Sequence, residues 1–165
     1  KIFPEFYIKL IQRLSKGEKL NFIRQVDYIG SYNPRLDSLK DGFIDWSLDS
    51  RDLANFINAF DDPYVGATTF LNRGNFGKLH LKKVHLHGGD GSNHPFMSGI
   101  VSRHDGEWIV VSTASKHMLL IEKVIDANFN NVIDKIKVGD RFHTPLEFFS
   151  NAKSERVIYG TKGKI

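Results

Sequence analysis

The sequence predicts an α+β chain in which helix and loop come first and a compact β-rich unit follows. Three observations carry that prediction. Apolar residues recur at helical spacing in two stretches before residue 61, the period changes to two after Gly66, and turn signals then punctuate the chain at short intervals. The pivot is Gly42–Phe70, which holds in succession a short apolar segment, a polar cap, an amphipathic helix, a proline-bearing turn and the opening of a β segment. Several short strands closing quickly on themselves fit a small barrel of the oligonucleotide- and oligosaccharide-binding (OB) type, or a sandwich.

Composition bounds the rest. A chain of 165 residues suffices for one good core, or for a small domain plus part of another. Apolar residues at 41% and charged residues at 25% are ordinary for a soluble protein. No apolar run approaches the roughly 20 residues that a bilayer crossing needs, and no signal-peptide pattern is present. Cysteine is absent, which excludes disulfides and thiolate chemistry and fits a cytoplasmic location. The first residue is Lys1 rather than methionine, and we expect a piece of something longer. The net charge of +4 is uneven, because the positive excess lies in residues 64–165. Such a surface meets nucleic acid, meets a phosphate group, or is simply solvated.

Taken in order, Phe3, Phe6, Tyr7, Leu10, Ile11 and Leu14 mark one helical stripe, with Pro4 in the first turn and Gly17 as the stop. Residues 18–41 read as a long loop. Asn33-Pro34 disfavours helix there, and Asp41-Gly42 is a turn signal. Long irregular connections are often functional, so Tyr28, Tyr32 and Arg35 are candidates to face a ligand; the structural alternative is that they pin the loop. Asp49 or Ser50 caps a helix whose Leu53, Phe56, Ile57 and Phe60 face a core, and Asp61-Asp62-Pro63 ends it.

Strands are expected near 67–72, 78–87, 97–103, 107–113 and 117–125, with a hairpin at His104-Asp105-Gly106-Glu107. Alternation breaks at Lys82-Lys83, which implies either a bulge or a strand buried on both faces. A short helix from about Pro145 to Ala152 should turn Leu146 and Phe149 inward, and a last strand is expected at 156–159.

Few side chains have the spacing that chemistry requires. His80, His85, His87 and His94 crowd together, but a zinc site needs three or four ligands in a recognisable pattern, so no metal is assigned. Asp49 and Asp52 are explained by the helix start. Asp61 and Asp62 sit at a helix C-terminus, where negative charge is disfavoured, and need an account. Glycine-rich GNFG (74–77) and GGDG (88–91) lack the strand–turn–helix context of a phosphate cradle. Lys78, Lys82 and Lys83 with Phe76 form a thin version of a single-strand nucleic-acid surface. No catalytic centre is found on spacing.

Gly42-Phe43-Ile44-Asp45-Trp46, the helix ending Ile57-Asn58-Ala59-Phe60, and Asp62-Pro63-Tyr64-Val65-Gly66-Ala67 together resemble the folate-dependent formyltransferases. In that family IDW leads a helix ending in IRAF, and PGA opens the C-terminal β domain. Tyr32-Asn33-Pro34-Arg35-Leu36 is similar to the Y-x-x-R-L stretch before IDW, and Gly139-Asp140-Arg141-Phe142 is loosely similar to the tail. Val65 stands where proline is most frequent, and Asn58 where arginine is usual. The DDPY version looks more like the enzymes acting on nucleotide-linked amino sugars than like the methionyl-tRNA formyltransferases, which favour NPWPGA.

The resemblance implies that residues 1–62 are the helical tail of a doubly wound catalytic domain and 63–165 an OB-like barrel domain. The family transfers a formyl group from 10-formyltetrahydrofolate to an amine, using an Asn-x-His motif and a distal Asp that match nothing here. No catalytic residue is therefore assigned, and the chain alone should be inactive. Tyr32, Arg35 and Tyr64 are the positions expected on the substrate side. The implied partners are a nucleotide-sugar amine or an aminoacyl-tRNA, with a homodimer as a further expectation. The alternatives are the methionyl-tRNA branch, a non-catalytic OB-like module binding nucleic acid, and a purely structural or dimerising domain.

Overall fold

The computed structural model describes residues 2–24, 26, 30–31, 36–89, 93–155, 159–160 and 163–164. The chain divides into two compact units, Lys1–Asn33 and Pro34–Ile165.

The first unit is built on α1 (Ile2–Ser15). Gly17 ends it at φ +70, in a region where a side chain would be strained. The Gly17 amide donates to the Leu14 carbonyl and the Glu18 amide to that of Arg13, which together satisfy two carbonyls left over at the helix end. The apolar stripe is where its spacing predicts, yet Phe3, Phe6, Tyr7, Ile11 and Leu14 are all more than half exposed.

The second unit is α+β and OB-like. Its main sheet is antiparallel, six-stranded and curled, in the order β3-β4-β5-β2-β1-β6. The strands are β1 (Ala67–Leu71), β2 (Leu79–His87), β3 (Val101–His104), β4 (Ile109–Val111), β5 (Met118–Ile125) and β6 (Phe142–His143). Helix α2 (Ser50–Ala59) packs on this sheet, α3 (Leu146–Ser154) follows β6, and β7 (Tyr159–Gly160) pairs with β8 (Gly163–Lys164). The hairpin expected at residues 104–107 joins β3 to β4, with Gly106 at φ +74. The strand expected from residue 97 starts later, because Pro95–Met97 forms a 3-10 turn capped by His94.

The curled sheet closes on itself. The residues leading into β3 bond to those leading into β6: Val101 N–H donates to Asp140 O (2.8 Å), Gly139 N–H to Val101 O (2.9 Å) and Phe142 N–H to Gly99 O (2.8 Å). Pairing the two edges at this seam covers amides that an open sheet would expose.

Helix α2 is the lid of the core. Asp49 caps it by accepting from the amides of Arg51 and Asp52, and Leu53, Ala54, Ile57 and Phe60 are buried in one cluster with Leu79, Leu81, Val84 and Ile121. The helix that the resemblance places at the end of a catalytic domain thus has its apolar face on the barrel. Just before it, Gly42 and Ile44 bond to Thr68 and form a short parallel bridge beside β1.

Two sequence expectations are corrected. The break at Lys82-Lys83 is neither an inserted bulge nor burial of both faces along the strand. Pairing runs in constant register from Lys82↔Lys123 to Val84↔Ile121, and Lys83 instead turns the strand over at φ +53. In α3, Leu146 is 80% exposed rather than inward, Phe149 is half-buried, and Phe148 also turns in, against Phe43 (4.7 Å between rings) and Phe70 (4.8 Å).

Asp140 locks the closure from within. It is 5% exposed and accepts two bonds from the Arg73 guanidinium (2.6 and 2.7 Å) and one from the Lys137 amide (2.7 Å). The Arg73 bonds hold its carboxyl below the usual carboxylate range against the opposing effect of burial. A lowered folded-state pKa stabilises the fold fully above the unfolded value of about 4 and is lost as pH falls through the folded value. Asp140→Asn should therefore lower stability by about 2 kcal/mol at neutral pH. Urea unfolding from pH 7 down to pH 3 should show that gap to wild type narrowing below about pH 4. A gap that stays constant across this range would remove Asp140 from the acid response.

Candidate functional site

The turn between α2 and β1 is anchored by a buried lysine. Lys82 is 4% exposed, and its ammonium donates to the Asp62 carboxylate and to the Tyr64 carbonyl (2.7 Å), with Asp61 3.5 Å away. Asp61 also accepts from the Lys83 amide (2.9 Å). Both carboxylates at the helix C-terminus thus have an account. Lys82 offsets the unfavourable dipole, holds Asp62 below its ordinary pKa, and fixes the backbone that presents Tyr64.

Asn58, a departure from the family pattern, has a matching reason. Its amide donates to Val84 O (2.8 Å) and its carbonyl accepts from Val84 N–H (3.1 Å), so it acts as a strand partner beside the left-handed Lys83. Arginine has no acceptor and cannot replace both bonds.

Of the substrate-side candidates, Tyr64 is described and Tyr32 and Arg35 lie outside the described residues, as does Tyr28. Tyr64 is 43% exposed and lines a pocket of about 200 Å³ with Leu36, Ser38, Ala59 and Phe60. This lining is largely apolar with one phenol, which suits the flat face of a ring better than a charged group.

A second pocket, about 210 Å³, lies between the 39–43 segment, Lys78 and α3. Phe43 and Phe148 supply aromatic walls, and Lys40 and Lys78 supply positive charge. Sequence reasoning passed over it, because Phe43, Lys78 and Phe148 meet only when α3 folds back beside β1. The signal available was the run of aromatic residues on α3.

The histidines that crowd the sequence disperse in space. His80 meets Thr68 (3.1 Å), His85 meets Glu122 (3.3 Å), His87 meets Arg103, and His94 caps the 3-10 turn. Burial lowers the His80 pKa, so it is neutral at pH 7. Among the described residues no group of three or more His, Asp or Glu is placed to hold a metal, and no helix is long and apolar enough to cross a membrane.

The second unit is thus an OB-like curled sheet with a helix over its core and two pockets of about 200 Å³ among its described residues. A family profile described as "Formyl transferase, C-terminal domain" matches residues 38–131. The chain belongs to the formyltransferase family through this C-terminal domain. No curated protein matches the chain.

Proposed function

We propose that the chain is the C-terminal portion of an enzyme that moves a formyl group from 10-formyltetrahydrofolate to an amine on a nucleotide-linked amino sugar. The observation that carries the reading is the family match over 38–131, joined to the DDPY turn that Lys82 holds in place. In this reading residues 1–62 extend from the catalytic domain, the folate and the reacting groups are held there, and the protein works in the cytoplasm. Tyr32, Arg35 and Tyr64 face the acceptor, and Tyr64 offers its pocket to the sugar ring. The acidic groups paired here, Asp61, Asp62 and Asp140, serve the fold, which supports placing the chemistry elsewhere.

The test has two parts. The purified 165-residue chain should neither turn over 10-formyltetrahydrofolate nor bind it by calorimetry. The longer product of the same gene should formylate a nucleotide-linked amino sugar and leave methionyl-tRNA unmodified. Formylation of methionyl-tRNA alone would transfer the reading to the tRNA branch. An upstream gene segment without Asn-x-His and a distal Asp would sink it altogether.

A further inference from the structure

We propose that the pocket between the 39–43 segment, Lys78 and α3 is a binding site for the nucleoside monophosphate unit of a larger ligand, with the base against Phe148 and the phosphate beside Lys78. The aromatic side of the pocket is preformed. Phe43 and Phe148 pack on each other (4.7 Å between ring centres, tilted by 36°) with Phe70 behind Phe148, so no ring fits between them and a base rests on the part of half-buried Phe148 that faces the pocket. Phe43 is only 8% exposed and held by its contact with Phe148, so it does not need ordering when a ligand arrives. The Asn151 side chain at the rim carries both donor and acceptor, which a base edge can use.

The charge at the mouth calls for an anion. The Lys78 ammonium sits 5.4 Å from the Phe43 ring centre and 5.6 Å from that of Phe148. Among the described residues it has no carboxylate partner, so the ring faces are what hold it. Lys40 is paired with Glu155 at 2.8 Å across the same opening. Among the described lining residues two ammonium groups face one carboxylate, and a phosphate placed there satisfies Lys78 without breaking the existing pair. Size narrows the class further. A volume of about 210 Å³ admits one ring and leaves the remainder of a ligand outside, whereas whole drug-sized ligands fill about 300 Å³ or more.

The choice of a nucleotide rests on the reading given under Proposed function; the ring-bearing anion rests on the pocket alone. Uridine 5′-monophosphate is the probe, titrated into the isotope-labelled full 165-residue chain and followed by amide chemical shifts. Saturable shifts are expected at Lys78, Phe148 and Asn151. Uridine should bind about tenfold more weakly, and Lys78→Met should weaken the nucleotide by a similar factor while leaving the rest of the spectrum in place. Equal binding of uridine and its monophosphate, shifts that centre elsewhere, or no saturation by about 10 mM would each overturn the proposal. A pocket that binds the nucleotide in a protein whose longer form modifies only tRNA separates the two readings. Sugar-amine formylation with a silent pocket separates them in the opposite sense.

Discussion

Gly99→Ala should destabilise the β unit by about 4 kcal/mol, read by urea unfolding followed through Trp46 and Trp108 fluorescence. Gly99 lies at the barrel's closing seam, at φ +82, where any other residue is strained by about 1 kcal/mol or more. A Cβ there would stand 2.2 Å from the Phe142 carbonyl oxygen and 3.2 Å from its carbon. Both are main-chain atoms and cannot swing aside, so the seam must open. Opening strains the Phe142-to-Gly99 and Gly99-to-Ser112 hydrogen bonds, each contributing about 1 kcal/mol. Gly106 provides the control: its φ of +74 is similar, but nothing lies within 4 Å of its Cβ direction. Gly106→Ala should cost only about 1 kcal/mol. Equal losses at the two positions would show that the seam is not closed.

Phe142→Ala should cost about 4 kcal/mol and erase the near-ultraviolet circular dichroism of Trp46. Phe142 is 1% exposed, and its ring stacks on Trp46 at 5.8 Å and 11°. Trp46 in turn donates to the Thr69 hydroxyl (2.9 Å), which donates to the His143 carbonyl (3.0 Å). One deletion therefore leaves a cavity and loosens the segment that precedes α2. Leu146→Ala, at a side chain 80% exposed, should change stability by less than about 0.5 kcal/mol. A comparable loss at Leu146 would restore the inward position that the structure denies it.

Much of the fold was legible because period and punctuation are local. The stripe of α1, the Asp49 cap, the core face of α2, the hairpin at Gly106 and most strands follow from side-chain spacing and turn chemistry within a few residues. The misread places have non-local or main-chain causes. Lys83 turns the strand's faces over through a φ that lysine seldom adopts, and the partner strand, Asp61 and Asn58 hold that segment in place. Leu146 and Phe148 are both apolar, and the contact with Phe43 and Phe70 selects between them. Of the candidate site, Tyr64 was singled out through the resemblance of its turn, while the Phe43–Phe148 pocket joins residues more than a hundred positions apart.

The sequence by itself determined the class of the chain, a helical start followed by a β-rich domain, and through Gly42–Phe70 its kinship with formyltransferases. Those are properties of order and spacing along the chain, and spacing is preserved however the chain folds. Only the tertiary structure decided that α2 lies on the barrel, that Lys82 neutralises the acidic turn, and that the edges of the sheet meet at Gly99. Each depends on side chains and main-chain groups distant in sequence arriving within bonding range. Burial then makes the pairing matter, since a lysine or aspartate removed from water must find its partner in the fold.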